Sequence, residues 1–250
     1  MSLKVSHRNE AMNMTIDVAS VLQQRTVLPH MHRENITMRI YRELRTRIMA
    51  GQFKPGETLI LRSVAESMGV SQTPVREALL QLTSEKVLSV LPGRSVRVPE
   101  LSRSELKELG MIRTALECLA ARHAAACSSP ALIDNLERIH NELLHFKRAV
   151  DVTGLLERNL QFHFALYSAS ELPTLVSTIE GFWARTGPYV RYLYRRPHKQ
   201  LAGPHPHEEI IEGLKQNNAN QVEAALTRDI QANWNILIQN AFEGNALVED

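Results

Sequence analysis

The chain has 250 residues, of which 44% are hydrophobic and 22% charged, enough for one large or two small domains with a real core. No apolar run approaches the roughly 20 residues of a membrane helix, and no signal-peptide pattern is present, so we expect a cytoplasmic protein. Two cysteines, Cys118 and Cys127, exclude a disulfide framework. Residues 33–100 carry a net charge of +4 and residues 101–250 one of −3, which suggests two functions on one chain.

The N-terminal part of the sequence predicts a leader followed by three helices. Residues 1–33 show little periodicity, and we expect a flexible leader there. Isoleucine and leucine recur every four positions between Asn35 and Ala50, which predicts a first amphipathic helix. A second helix is expected over residues 59–68. A third begins after Ser71, whose hydroxyl is placed to cap the free amide groups of the first turn.

The third helix has a polar outward face, and a basic hairpin follows it. The outward residues are expected to be Gln72, Thr73, Arg76 and Gln81. Apolar runs at 87–91 and 96–98 flank a tip that contains Arg94, which predicts a short β-hairpin. Three helices followed by a basic hairpin are typical of a winged helix-turn-helix, so we predict a DNA-binding domain over residues 34–100. An ordinary small α+β domain is the alternative.

The remaining sequence, residues 104–245, predicts an all-helical domain. Proline-containing breaks separate six amphipathic segments, which favours an antiparallel helical bundle. The helices are expected at 104–126, 130–150, 151–169, 173–194, 207–217 and 220–242. The predicted fold class is therefore mainly α, with a winged helix-turn-helix that carries a small β-hairpin wing, followed by the bundle.

Several motifs in this order resemble a known family. The segments Gly51–Leu59 and Val64–Leu79 resemble the DNA-binding domain of GntR-type regulators. Three shorter motifs, Arg113–Glu117, Asn159–His163 and His207–Ile210, resemble the helical FCD effector domain of the FadR branch. The resemblance implies a cytoplasmic, homodimeric transcription regulator, usually a repressor, on a palindromic operator. It also implies that a small-molecule effector, typically an organic acid, binds the helical domain and changes DNA affinity.

The helix pattern and the resemblance together name the DNA-contacting residues. Arg76 lies one turn into the recognition helix, where its guanidinium can reach a guanine edge or a phosphate. Thr73 and Gln72 lie at the N-terminus of that helix, where free amides favour phosphate. Gln72 stands where most family members have arginine, and glutamine suits adenine. By analogy, Arg62 contacts phosphate or base and Arg94 enters the minor groove, although for both a solvated surface charge is the alternative. The complete set is Arg62, Ser71, Gln72, Thr73, Arg76 and Arg94.

The resemblance also implies a metal site inside the bundle. In many FCD domains an acidic residue and three histidines hold a divalent metal. The corresponding residues here are Asn159, His163, His207 and Asp229, with Asn159 in place of the usual aspartate and Asp229 in place of the third histidine. Two imidazoles, a carboxylate and an amide oxygen suit Zn²⁺, Ni²⁺ or Mn²⁺. The alternative is a polar cavity whose histidines bind the ligand directly.

Arg113 is the predicted anchor for the effector. A buried arginine needs a partner, and the sequence leaves open whether Glu117 or an anionic effector supplies it. The predicted effector-binding set is Arg113, Asn159, His163 and His207. His205 is either a substitute metal ligand or a loop residue. His140, which lies about 140° around its helix from the next histidine, is interpreted as a surface residue.

A metal-dependent enzyme with an appended DNA-binding module is the rival interpretation. A zinc hydrolase of the His-Glu-x-x-His kind has a general base beside its metal, and the segment from Asn159 to His163 contains no carboxylate. A non-specific architectural DNA-binding protein would need a far more basic N-terminal domain than a net +4. We therefore predict a regulator and not an enzyme.

Overall fold

The computed structural model describes residues 36–92, 95–194 and 205–242. The expected leader over residues 1–33 and the hairpin-tip residue Arg94 lie outside the described residues. These described residues form one compact unit.

The N-terminal part of this unit contains three short helices and a small sheet. The elements are α1 (Ile36–Met49), β1 (Thr58–Leu59), α2 (Leu61–Met68), α3 (Gln72–Ser84), β2 (Ser89–Val90) and β3 (Val96–Arg97). Helix α1 packs against α3, and the side chains of Ile48, Val75 and Leu82 are fully buried in the core that these helices share. The predicted periodicity of both helices thus produces the expected apolar faces.

The sheet is antiparallel and has three strands in the order β1-β3-β2. The expected hairpin forms β2 and β3, with Val90 opposite Val96. Strand β1 pairs with the other edge of β3, with Thr58 opposite Arg97. The predicted second helix was therefore wrong at its start, because Leu59 belongs to β1 and α2 begins at Leu61.

Ser71 and Gly69 together define the turn before the third helix. Gly69 ends α2 in the left-handed conformation at φ 64°, where its backbone N–H bonds back to the carbonyl groups of Ala65 and Glu66. Ser71 is the N-cap of α3 with extended backbone, but its side chain forms no capping hydrogen bond in the described part of the chain. The predicted capping role of the Ser71 hydroxyl was therefore wrong, and the first turn of α3 keeps free amide groups.

The C-terminal part is a bundle of six α-helices and one 3₁₀ segment within the described ranges. The elements are α4 (Arg103–Ala126), α5 (Pro130–Arg148), α6 (Val152–Ser168), α7 (Pro173–Thr186), the 3₁₀ segment (Gly187–Tyr194), α8 (Pro206–Lys215) and α9 (Ala219–Phe242). Ser102 starts α4 with a capping box, in which its hydroxyl accepts from the Glu105 amide and the Glu105 carboxylate accepts from the Ser102 amide. The predicted single helix over 173–194 is two segments, since α7 ends at Thr186.

Helix α4 lies at the centre of the bundle and packs against α6, α7 and α9. Its fully buried alanines, Ala120, Ala121 and Ala124, leave room for neighbouring helices to approach closely. The mainly helical fold with a small wing is confirmed. Among the described residues, no helix combines the length and apolar character that a membrane span requires.

Helix α7 also contacts the N-terminal part through α1. Arg45 of α1 donates a hydrogen bond of 2.5 Å from Nη1 to Oε2 of Glu180 on α7. At the end of α7, Gly187 lies against the backbone of Ile48 and Met49 so closely that a Cβ atom there would approach the Ile48 carbonyl oxygen to 2.4 Å. One helix of the bundle therefore supports the first helix of the N-terminal part.

Candidate functional site

The first site is the outward face at the start of α3. Ser71, Gln72, Thr73 and Arg76 are exposed, whereas Val75 is fully buried in the core behind them. The predicted outward set therefore occupies one accessible polar surface, apart from Gln81, which is only half exposed and donates to Glu85. Free amide groups at a helix N-terminus can donate hydrogen bonds to a DNA phosphate. A guanidinium one turn later can contact the edge of a base.

Arg62 is the remaining predicted DNA contact among the described residues. Arg62 of α2 is largely exposed and forms an ion pair with Glu66, with 2.7 Å between Nε and Oε1. Such an exposed pair is weak, so a phosphate can compete for the guanidinium. Glu77, the neighbour of Arg76, accepts a hydrogen bond from the Thr37 hydroxyl at 2.8 Å, which ties α3 to α1.

The second site is a group of buried polar side chains inside the bundle. His163 on α6, His207 on α8 and Asp229 on α9 are all at most 5% exposed, and their candidate ligand atoms lie within 4.8 Å of one another. Nε2 of His163 is 3.3 Å from Oδ2 of Asp229, and Nε2 of His207 is 3.9 Å from the same oxygen. The structure thus brings together three of the four predicted metal ligands.

Asn159 and Asn233 complete the surroundings of this site. Asn159 lies one turn before His163 on α6 and is half buried, consistent with the shared helix face that the sequence predicts. Asn233, which sequence reasoning missed, donates from Nδ2 to Oδ1 of Asp229 at 3.0 Å. This hydrogen bond occupies one carboxylate oxygen and leaves the other directed at the two histidines.

A hydrogen-bond chain fixes the orientation of His163. The Tyr167 hydroxyl donates to Oε2 of the fully buried Glu117 at 2.5 Å, so its oxygen accepts from Nδ1 of His163 at 3.1 Å. The His163 proton then sits on Nδ1, and the lone pair of Nε2 faces the Asp229 carboxylate. Two acceptors in that position repel each other unless a proton or a cation lies between them. This arrangement is typical of a metal-binding histidine with an outer-shell partner.

Glu117 is the centre of the buried polar network, and Arg113 is its main partner. Arg113 donates from Nε to Oε1 of Glu117 at 2.6 Å and from Nη1 to the Thr186 hydroxyl at 2.9 Å. The guanidinium also lies 4.0 Å from the ring centroid of Trp183, whose indole N–H donates to Glu117. Of the two partners that the sequence left open for Arg113, the structure supplies Glu117.

His140 was predicted to lie on the surface, and this was wrong. It is only 4% exposed, because it shares the inward stripe of α5 with Leu136, Ile139 and Leu143. Its ring centroid is 5.0 Å from that of His205 and 5.5 Å from that of His207. His205 is the N-cap of α8. The buried histidines therefore extend from the predicted metal site towards the start of α8.

Burial determines the protonation of these histidines. Desolvation lowers the pKa of His207 well below its usual range, and the neighbouring histidines lower it further. Desolvation also lowers the pKa of His205 to about 4 and lowers the pKa of His140. At neutral pH all three rings are therefore neutral, which is the form that binds metals.

Comparisons with known proteins identify both parts of the chain. Residues 36–98 match the model of the bacterial regulatory proteins of the gntR family, and residues 108–232 match the FCD domain. The chain is 32% identical to the HTH-type transcriptional regulator McbR of Escherichia coli (strain K12) over 207 residues, which are 82% of this chain and 94% of McbR. It is 28% identical to the HTH-type transcriptional repressor RspR of the same strain over 200 residues, or 78% of this chain and 86% of RspR.

Solved structures show the same fold. The structure of E. coli McbR/YncC superposes with a TM-score of 0.78 at 32% identity, covering 82% of this chain and 98% of that one. A GntR transcriptional regulator from Rhodococcus sp. RHA1 superposes with a TM-score of 0.65 at 22% identity, covering 81% and 97%. McbR and RspR are transcriptional regulators and not enzymes, so the prediction of a regulator is confirmed. The chain belongs to the GntR family of bacterial regulatory proteins and is a transcriptional regulator with an FCD domain.

Proposed function

We propose that this regulator represses transcription as a homodimer on a palindromic operator and that an organic acid bound in the bundle controls its DNA affinity. In this proposal residues 1–33 are a leader, residues 34–100 bind DNA, and residues 104–245 bind the effector and form the dimer. The relative RspR is named a repressor, which favours repression over activation.

The exposed start of α3 carries the DNA-binding part of the proposal. Arg76, Thr73 and Gln72 lie together on an accessible surface, and the Ser71 hydroxyl is not engaged in capping within the described residues. These groups can contact phosphates and a few base edges from the major groove. Arg62 and Arg94 add backbone and minor-groove contacts.

A homodimer follows from the small size of this surface. One short recognition helix with one wing contacts few base pairs, so specific binding requires two copies on a two-fold operator. Exposed apolar side chains on α4 support self-association through the bundle: Met111 is 68% exposed and Leu119 is 45% exposed. Exposed apolar side chains on a bundle helix are candidates for a two-fold interface.

The metal part of the proposal rests on the donor set at His163, His207 and Asp229. Nε2 of His163 faces Oδ2 of Asp229, and both ring nitrogens of His207 are buried without a hydrogen-bond partner among the described residues. A divalent cation would satisfy Nε2 of His163, Oδ2 of Asp229 and one ring nitrogen of His207, and the amide oxygen of Asn159 supplies a fourth ligand of suitable chemistry. Zn²⁺, Ni²⁺ and Mn²⁺ accept such mixed nitrogen and oxygen ligation. FCD domains bind metals in some members of the family.

The effector is proposed to be a small carboxylate that binds at this polar site. A metal ion held there would supply an open coordination position for a carboxylate oxygen. Arg113 acts in this account through Glu117, because its guanidinium already contacts Glu117, Thr186 and Trp183. Its positive charge lowers the cost of a second anion in the buried network.

Helix α7 connects this site to the DNA-binding part. Trp183 and Thr186 on one side of α7 contact Glu117 and Arg113, while Glu180 binds Arg45 of α1. A ligand that rearranges the Glu117 network would therefore shift α7 and, with it, the recognition helix behind α1. In a dimer such a shift changes the spacing of the two recognition helices, and a two-fold operator responds with a change in affinity.

The test is a DNA shift assay with candidate carboxylic acids, performed on the wild type, His163→Ala and His207→Ala. We expect each variant to lose the effector response and to keep DNA binding in the absence of effector. His145→Ala, which removes an exposed histidine on α5, is the matched control and should respond normally.

Three outcomes would contradict parts of this proposal. A normal response in both variants would place the effector elsewhere. A wild type that responds normally after its metal is removed would assign the histidines to direct effector contacts. Light scattering that shows a stable monomer, both free and on DNA, would overturn the homodimer.

A further inference from the structure

Three histidines meet where the middle of α5 faces the start of α8. They are His140, His205 and His207, and their candidate ligand nitrogens lie within 4.8 Å of one another. Ligand nitrogens of a tetrahedral zinc site are about 3.4 Å apart, given Zn–N bonds of about 2.0–2.1 Å. The three nitrogens would therefore have to approach one another from within 4.8 Å to about 3.4 Å when a metal binds.

His140 already has the second partner that metal-binding histidines commonly have. Its Nε2 lies 3.4 Å from Oε1 of Glu208, which favours the proton on Nε2 and leaves the lone pair on Nδ1. Nδ1 of His140 is buried and has no hydrogen-bond partner within the described ranges. A carboxylate behind a histidine whose other nitrogen is free is the usual outer shell of a metal ligand.

His205 and Glu208 connect this cluster to the N-terminus of α8. Nδ1 of His205 accepts from the His207 amide at 3.2 Å, and this bond uses the one lone pair of the neutral ring, so His205 would have to release the amide in order to ligate a cation. The second oxygen of Glu208 accepts from the His205 amide. Glu208 has a half-exposed side chain, and His205 is less buried than its two neighbours, so solvent reaches the cluster from this side. A cation entering here would bind next to a helix N-cap and would link α5 to α8.

His207 belongs to both groups of candidate ligands. Its ring is fully buried and stacks on Phe162 at 3.8 Å between centroids, and both ring nitrogens lack a partner in the described part of the chain. A neutral imidazole has one lone pair, so His207 can serve one ion at a time. Its tautomer would decide which group it completes.

We infer that His140, His205 and His207 form a second, alternative binding site for a transition-metal ion, separate from the site with Asp229. Its ligands are three imidazoles without a carboxylate in the inner shell. Such a set favours Ni²⁺, Cu²⁺ and Zn²⁺ over Mg²⁺, Ca²⁺ and Mn²⁺. The site with Asp229 and Asn159 offers two oxygen ligands and accepts Mn²⁺. The two sites compete for His207, and the identity of the metal selects between them.

The test is calorimetric titration of the full chain, freed of metal by a chelator and of any histidine tag, with Ni²⁺ and with Mn²⁺. We expect His163→Ala to abolish Mn²⁺ binding and to retain one Ni²⁺ ion per chain. Addition of His140→Phe to that variant should weaken Ni²⁺ binding by about 100-fold or more, since loss of an outer-shell partner alone commonly costs 10- to 100-fold. His205→Ser should have the same effect while it keeps an N-cap hydroxyl for α8.

The outcomes distinguish this second site from the one in the proposed function. If His163→Ala is folded by circular dichroism but binds no Ni²⁺, or if adding either His140→Phe or His205→Ser leaves Ni²⁺ affinity unchanged, the three-histidine site is wrong. If the wild type binds Ni²⁺ but not Mn²⁺ and loses Ni²⁺ with His140→Phe, the three-histidine site stands. The site with Asp229 is then wrong as a binding site for Ni²⁺ and Mn²⁺.

Discussion

The indole N–H of Trp183 donates a hydrogen bond of 2.9 Å to Oε1 of Glu117, and both side chains are buried in the bundle. Helix α7 contacts α1 of the DNA-binding part. The hydrogen bond from Trp183 joins this helix to the polar network that orients His163 through Tyr167. Glu117 thus receives hydrogen bonds from three different residues on three helices. A buried carboxylate with this number of donors is held rigidly, and it connects the three helices that carry them.

Removal of Arg113 should destabilise the protein strongly. In Arg113→Ala, the buried carboxylate of Glu117 loses its charged partner, and breaking such a pair costs about 3–5 kcal/mol. Urea denaturation followed by circular dichroism measures this loss. The double variant Arg113→Met/Glu117→Gln removes both charges and should recover a large part of it. A double variant that is no more stable than Arg113→Ala would show that packing, rather than charge, dominates at this position.

Two glycines near the end of α7 should respond in opposite ways to the same substitution. A Cβ at Gly187 would lie 2.6 Å from the Met49 Cα, whereas one at Gly181 meets nothing within 4 Å. Gly187→Ala should therefore destabilise by about 1–3 kcal/mol through overpacking and weaken the contact between α1 and α7. Gly181→Ala should stabilise by about 0.5–1 kcal/mol, because alanine is the better helix former.

Thermal denaturation measures the stability of the two glycine variants, and the shift assay measures their response to effector. If α7 carries the signal to α1, Gly187→Ala should also respond less to effector in the shift assay, and Gly181→Ala should respond as the wild type does. Equal melting temperatures for the two variants would contradict the close approach at Gly187.

The sequence predicted the elements better than the contacts between them. Periodicity located five of the six bundle helices to within a few residues, because each one buries a regular apolar stripe, whereas the predicted helix over 173–194 ends as an α-helix at Thr186. The two-residue strand at Thr58 was missed, since so short a strand has no pattern of its own and depends on pairing with Arg97. His140 was misplaced because it was judged only by its distance from another histidine. Its spacing from Leu136 and Leu143 did contain the signal for burial.

The candidate site shows the same limit. The ligand set of His163, His207 and Asp229 was implied by the resemblance to FCD domains, and the structure brings these residues together. The Arg113–Glu117 pair was readable from a spacing of four residues on one helix. The hydrogen bonds from Tyr167 and Trp183 to Glu117 join three helices, and no spacing within one helix indicates such contacts.

Arg76 should contribute directly to operator binding. Its side chain is exposed at the start of α3, so Arg76→Ala should weaken specific DNA binding by about 1–3 kcal/mol per half-site without unfolding the protein. The matched control is Arg148→Ala, which removes the same charge from an exposed position on α5. Shift assays at one fixed salt concentration compare the two. Equal affinities for the variants would remove Arg76 from the recognition surface.

The stability of the metal-free protein should fall as the pH drops from about 6.5 towards 4. In the folded state, desolvation lowers the pKa of His205 to about 4 and also lowers the pKa of His140 and His207. In the unfolded state these rings take up protons near pH 6.5. Between these pH values the unfolded state binds more protons than the folded state, so protonation favours unfolding. The free energy of unfolding therefore rises with pH and stops depending on these histidines above about pH 6.5.

His205 gives the clearest test of this pH dependence, because His205→Ser keeps a hydroxyl at the N-cap of α8 and removes one titrating ring. The wild type should lose about 2 kcal/mol more than His205→Ser between pH 7 and pH 4, a figure reduced from the full shift because the ring is only partly buried. Urea denaturation in the presence of a chelator measures both proteins at each pH. Carboxylates that titrate below pH 5 contribute equally to both and cancel in the difference. Parallel stability curves for the two proteins would mean that His205 has the same pKa in the folded and unfolded chains.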